Sequence, residues 1–90
     1  MKRVVLEVNG RVQGVGFRYT VMKIAARFEV AGTVRNLPSG AVEIDAEGDD
    51  AELSRFISAV LENPPRSAHL DKVNEREAEP RYVSGFEVSQ

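Results

Sequence analysis

Apolar positions along the chain change period several times, and each change marks an element. Residues 3–9 (RVVLEVN) alternate so that Val4, Leu6 and Val8 share one face, as in a strand with one buried side. After a glycine-rich gap, Phe17, Val21, Ile24, Ala25 and Phe28 recur at i, i+4, i+7, i+8 and i+11, the spacing of one helical stripe. Lys23 and Arg27 come late in this stretch, where cations complement the negative end of a helix dipole. The spacing predicts a first helix from residue 16 or 17 to about 28.

Residues 30–37 (VAGTVRNL) and 41–47 (AVEIDAE) read as two strands joined through Pro38-Ser39-Gly40, a short glycine-containing hairpin connection. In the second of them Val42, Ile44 and Ala46 alternate with Glu43, Asp45 and Glu47, so the acids are expected on a solvated face. Asp49 or Asp50 can cap a second helix, whose stripe is Leu53, Phe56, Ile57, Val60 and Leu61 and which Pro64-Pro65 ends. Residues 69–76 (HLDKVNER) are expected as a fourth strand despite poor alternation. SGFEVSQ is expected as a short fifth, with Phe86 and Val88 facing one way.

The order βαββαβ with a terminal strand leaves two amphipathic helices that must bury their stripes, and an antiparallel sheet with one apolar face accepts both. The expected fold class is α+β, a two-layer ferredoxin-like (split βαβ) sandwich with an antiparallel sheet and two helices on one face. Residues 1–90 are expected to form one domain. Strand one, helix one and strand two then run up, down and up. A helix of about twelve residues spans roughly 18 Å and a strand of about seven roughly 23 Å. Asn36, at the end of strand two, is therefore expected to finish near Arg18.

Composition narrows the chemistry. The 90 residues are 42% hydrophobic, enough for one small core. Twelve basic and fourteen acidic side chains give a net charge of -2 and are mixed rather than blocked, which offers no general handle for nucleic acid or membrane. The lack of cysteine excludes disulfides, thiolate nucleophiles and sulfur-ligated metals, and a single histidine excludes a multi-histidine metal site. The apolar run VVLEV is broken by Glu7 and is too short for a signal peptide or membrane span. A cytoplasmic protein is expected.

The stretch GRVQGVGFR, residues 10–18, places three glycines ahead of one arginine. Gly14 and Gly16 permit positive φ and close backbone approach, so N–H groups between Gln13 and Arg18 can turn inward as an anion-binding nest. The first turn of helix one adds unpaired N–H groups and the positive end of its dipole. Arg18 supplies a fork of donors able to grip two phosphoryl oxygens. The candidate phosphate cradle is thus Gln13, Gly14, Val15, Gly16, Phe17 and Arg18. The stretch lacks the third glycine of a dinucleotide fingerprint, and no Gly-Lys-Ser/Thr follows for a triphosphate loop. By pattern alone it fits equally a tight strand-to-helix turn with a surface arginine.

Asn36 shares strand parity with Val34, so its amide points toward the helix-covered side, where it can accept from and donate to a water. An asparagine before Leu-Pro-Ser-Gly is also an ordinary turn opener. His69 has no partner set and reads as a surface residue. Tyr19 and Tyr82 could border a ligand, with edge packing the plainer reading.

GRVQGVGFR together with GTVRNLPSGAVEIDAEG resembles the acylphosphatase family, whose members are small ferredoxin-like domains that hydrolyse carboxyl phosphates. The resemblance covers nearly the whole chain, through LSRFISAVL to the final strand. It implies Arg18 as the phosphate-binding arginine, backbone amides from Gln13 to Phe17 as the cradle and Asn36 as the water-positioning residue. The implied reaction is in-line attack of water on phosphorus without metal or cofactor, releasing a carboxylate and inorganic phosphate. The expected partner is a small-molecule acyl phosphate, with no nucleic acid or membrane, and the expected state is a monomer. Thr33 departs from the aromatic residue many members carry, and NPPRSAHLDKV from the more usual Gly-Pro-containing connection.

Two alternatives stand beside this reading. One is a non-catalytic phosphate or acyl-phosphate binding module of the same fold, as in the N-terminal domain of carbamoyl-transfer maturation proteins. The other is an RNA-recognition domain, which shares the element order, but AVEIDAE offers three acids and no aromatic platform.

Overall fold

A computed structural model describes residues 1–89. The elements are β1 (Lys2–Arg11), α1 (Phe17–Ala25), β2 (Val30–Asn36), β3 (Val42–Gly48), α2 (Asp50–Glu62), β4 (His69–Ala78) and β5 (Phe86–Ser89). They build one sheet in the order β4-β1-β3-β2-β5 with both helices against it, the ferredoxin-like sandwich. The β4-β1, β1-β3 and β3-β2 pairs are antiparallel, whereas β5 lies parallel to β2, with Val34 opposite Val88. The sheet is therefore mixed at this edge, where an antiparallel sheet was expected. β4 ends beside Arg3, and the start of β1 is level with Gly48 and, through it, with Val30 at the start of β2. A chain crossing from β4 thus arrives where β2 begins and can only run alongside it.

One cluster forms the core. Val4, Leu6, Val8, Val34, Val42, Ile44 and Ala46 from the sheet meet Phe17, Val21, Ile24 and Ala25 of α1 and Leu53, Phe56 and Val60 of α2. Helix α1 stops at Ala25, short of the expected end, and its last turn tightens as Arg27 and Phe28 donate to the carbonyls of Ile24 and Ala25. Phe28 still reaches the core, edge-on to Phe56 at 6.4 Å between ring centroids, and Phe86 of β5 meets Phe56 at 5.5 Å. Asp49 caps α2, its Oδ2 accepting the Ala51 N–H at 3.3 Å.

The far face of the sheet corrects one expectation. Asp45 and Glu47 are not solvated but buried, at 7% and 3% exposure. The carboxylate of Asp45 accepts two bonds from the Arg3 guanidinium, both 2.8 Å, and one from Arg81 Nη2 at 3.0 Å. Glu47 accepts the backbone N–H groups of Arg81 at 2.9 Å and Val83 at 3.0 Å. The alternation assigned the right face, but the β4–β5 connection crosses it, and these carboxylates hold that connection in place. Hydrogen bonding from Arg3 holds the Asp45 carboxyl below its ordinary range, aided by the charges of Arg3, Arg81 and Arg76 and opposed by burial. Glu43 remains half-buried, paired with Arg35 Nε at 3.0 Å.

Candidate active site

β1 and α1 are joined by a loop whose buried end is Val12, 1% exposed, and whose turn is made by Gly14 at φ +74° and Gly16 at φ +82°. A Cβ at either glycine would meet nothing within 4 Å. Glycine is therefore required here by the left-handed backbone and not by crowding. Gly16 caps α1 without a side chain, and its carbonyl accepts the Thr20 N–H at 3.0 Å. The N–H groups of Phe17, Arg18 and Tyr19 are left over, as at any helix start. Among the described residues, no backbone N–H from Gln13 to Tyr19 meets a carbonyl in good hydrogen-bond geometry.

Phe17, 1% exposed, pins the first helical turn into the core. Its neighbour Arg18 is half-buried, with Nη1 3.4 Å from the carbonyl oxygen of Ser89 on β5. A pocket of ≈ 280 Å³ opens at this point, lined by Val12, Gly14, Gly16, Phe17 and Arg18 together with Tyr19 and Val88. Two members of the expected cradle do not line it. Gln13 turns its side chain away, donating from Nε2 to the carbonyls of Leu37 and Ala41, both at 2.8 Å. Val15 is half-buried against the core.

Asn36 ends β2 opposite Val42, and its Oδ1 is buried with no hydrogen-bond partner among the described residues. A buried acceptor left unpaired costs free energy unless a water or ligand fills the position. Asn36 does not line the Arg18 pocket, but both of its chain neighbours are tied to residues around it. Leu37, which follows it, is gripped by Gln13, and Arg35, which precedes it, is the register partner of Ser89, which Arg18 touches.

Sequence reasoning missed the contributions of Val88 and Ser89, because the parallel docking of β5 leaves no local signal. It also missed the Gln13 side chain as the tie between loop and hairpin. Tyr19 is 68% exposed and not packed at an edge, with Lys23 Nζ 5.4 Å from its ring centroid. Tyr82 is likewise exposed, in the crossing segment gripped by Glu47. His69 lies on the surface, 3.0 Å from Asp71 Oδ1, and Thr33 faces the Asp45 side as its parity required. Among the described residues there is no group of three or more His, Cys, Asp or Glu side chains placed to hold a metal ion.

Comparison with known proteins agrees with this fold. Residues 4–88 match the family described as Acylphosphatase. An acylphosphatase of Methanospirillum hungatei is 44% identical over 88 residues, 98% of this chain and 93% of the relative. The crystal structure of acylphosphatase from Bacillus subtilis superposes with a TM-score of 0.92 at 35% identity, covering 100% of both chains. The crystal structure of T. kodakarensis HypF superposes with a TM-score of 0.88 at 32% identity, covering 100% of this chain and 12% of that one. The family model and these relatives match over nearly the whole length, and the chain belongs to the acylphosphatase family.

Proposed function

We propose that Arg18, the backbone amides from Gln13 to Phe17 and Asn36 are the machinery with which this acylphosphatase hydrolyses acyl phosphates. The observation that carries the assignment is the Oδ1 of Asn36, buried and without a hydrogen-bond partner among the described residues, in the same structure as a loop whose N–H groups meet no carbonyl there in good hydrogen-bond geometry. The loop amides and the Arg18 fork receive the non-bridging phosphoryl oxygens, and the shift of charge in the transition state strengthens these contacts. Asn36 accepts a hydrogen bond from a water through Oδ1 and orients its oxygen toward phosphorus. The amide is no base, so it positions the water and does not deprotonate it.

The water oxygen forms a bond to phosphorus as the opposite bond, from phosphorus to the acyl oxygen, breaks in line. The electron pair of that bond leaves with the carboxylate, and the water proton passes to a phosphoryl oxygen. The products are a carboxylate and inorganic phosphate. A carboxylate needs no proton to depart, so positioning and charge stabilisation suffice without a general acid.

Relatives named acylphosphatase over most of their length favour this enzyme over a binding module. In our reading residues 1–90 act as one domain, as a cytoplasmic monomer on a small-molecule substrate, without nucleic acid, metal or cofactor. The mixed charge and the lack of cysteine support that setting. Among the described residues no helix is long and apolar enough to cross a membrane.

The test is hydrolysis of benzoyl phosphate followed by ultraviolet absorbance with a chelator present, for the wild type, Arg18→Ala and Asn36→Ala. The wild type is expected to turn over undiminished by the chelator. Each variant is expected to lose at least about a hundredfold, Arg18→Ala the more because it also loses substrate binding. Wild-type turnover by folded Arg18→Ala would overturn the assignment.

A further inference from the structure

The phosphoryl cradle accounts for Arg18 and the loop amides but leaves the apolar part of their pocket without a task. Five large hydrophobic side chains are exposed among the described residues, and two of them, Tyr19 at 68% and Val88 at 42%, share the pocket with Arg18. Single exposed apolar residues need no explanation, but two that converge beside a guanidinium do. Neither is required by the core: the α1 stripe is complete without Tyr19, and Phe86, not Val88, is the residue of β5 packed against the core cluster. Lys23, one turn on, sits 5.4 Å from the Tyr19 ring centroid, a cation–π contact that favours one ring position.

In-line displacement sets where the departing group must go. Attacking water and leaving carboxylate lie on opposite sides of phosphorus, and Asn36 is not among the residues that line the pocket. With Arg18 gripping the phosphoryl group and the water held outside this lining by Asn36, the apolar wall of Tyr19 and Val88 is the part of the pocket left for the acyl group. That space is large enough: a cavity of about 150 Å³ holds a benzene ring, and this pocket measures ≈ 280 Å³ with room for a phosphoryl group beside the ring.

We infer that Tyr19 and Val88 form an acyl subsite that selects acyl phosphates with aromatic or branched apolar acyl groups over acetyl phosphate. The inference rests on the assignment of Arg18 and Asn36 made above. Here the chemistry of selection is apolar contact with the leaving group, so discrimination falls on KM for the larger substrate more than on kcat.

The experiment measures kcat and KM for benzoyl and acetyl phosphate in the wild type, Tyr19→Phe, Tyr19→Ser and Val88→Thr. All three substitutions fall on exposed positions, and threonine keeps the branched shape a strand favours. The wild type is expected to favour benzoyl phosphate. Tyr19→Ser is expected to lower the benzoyl-to-acetyl ratio of kcat/KM about tenfold, and Val88→Thr about threefold. Tyr19→Phe, which keeps the ring, retains the ratio. A wild type with no preference for benzoyl phosphate, or an unchanged ratio in both Tyr19→Ser and Val88→Thr, overturns the subsite. Arg18→Ala in the same assay separates the two failures. If Arg18→Ala is inactive while the ratio stays fixed, only the acyl subsite falls; if it turns over normally, the site itself has been misassigned.

Discussion

Gln13 Nε2 lies 2.8 Å from the carbonyl oxygen of Leu37, so the first residue of the proposed phosphate loop grips the residue that follows Asn36. The same amide reaches Ala41 at 2.8 Å, across the β2–β3 hairpin. Both carbonyls also accept a backbone N–H, from Gly40 and Leu37, so neither is orphaned if the glutamine is lost. Gln13→Ala is therefore expected to cost about 1–2 kcal/mol of stability. It should lower kcat about tenfold by loosening the distance between the phosphoryl site and the water site, with a much smaller change in KM. Steady-state kinetics alongside denaturant unfolding would check this, and an unchanged kcat would assign the contact to folding alone.

Asn36 offers the opposite combination. Among the described residues its Oδ1 is buried without a partner, so removing that oxygen takes away an unsatisfied acceptor and not a bond. Asn36→Ala is expected to leave unfolding free energy within about 0.5 kcal/mol of the wild type while kcat falls about a hundred- to a thousandfold. A variant clearly destabilised yet still active would mean that the amide serves the fold.

The bond that breaks can be read directly. Turnover in water enriched in oxygen-18 should place the label in inorganic phosphate and leave the carboxylate unlabelled, because attack falls on phosphorus. Mass spectrometry of both products after a single turnover distinguishes this from attack on the acyl carbon, which would label the carboxylate.

At Gly16 the requirement is conformational. Alanine there finds open space but must adopt φ near +82°, at a cost of about 1–2 kcal/mol. Gly16→Ala is expected to fold, with a lower melting temperature and a weaker inhibition constant for inorganic phosphate, as the loop relaxes out of its cradle shape. Inhibition at wild-type strength would show that the amides around Gly16 take no part in binding.

Acid should act through Asp45. Its folded pKa lies below the ordinary 3.8, chiefly through the Arg3 hydrogen bonds, so its stabilisation is fully present above the unfolded value. That stabilisation is lost as pH falls through the folded value. The melting temperature should hold steady above about pH 5 and drop below about pH 4. Asp45→Asn should remove this part of the acid sensitivity and cost about 1–2 kcal/mol at neutral pH, limited because Arg81 is 51% exposed. Melting curves of the two proteins from pH 3 to 7 would differ in slope below about pH 4; parallel curves would rule Asp45 out.

Much of this was legible in the sequence where burial and backbone period coincide. Val4, Leu6 and Val8, the α1 stripe, and Leu53, Phe56 and Val60 all enter the core they announced. Phe28 shows the limit: a stripe reports which side chains face inward, not whether the backbone is still helical, and α1 had already ended at Ala25. Asp45 and Glu47 show another, since alternation names a face but not what covers it, and residues 79–85 carry no period of their own. At the site, the glycines, Arg18 and Asn36 stood out because residue type and spacing limit their chemistry. Val88 and Ser89 did not, because they arrive by long-range pairing.

That pairing has a consequence for how the enzyme comes into being. Arg18 and the carbonyl it meets on Ser89 are separated by 71 positions, and β5 supplies one wall of the pocket. Contacts of such high sequence separation form late and slowly, after the entropy of a long loop has been overcome. A chain still emerging from the ribosome can build its phosphate loop yet lack the residues that brace it. In the proposed site, the wall built by Val88 and the contact at Ser89 are therefore complete only once synthesis has passed Ser89 and β5 has docked.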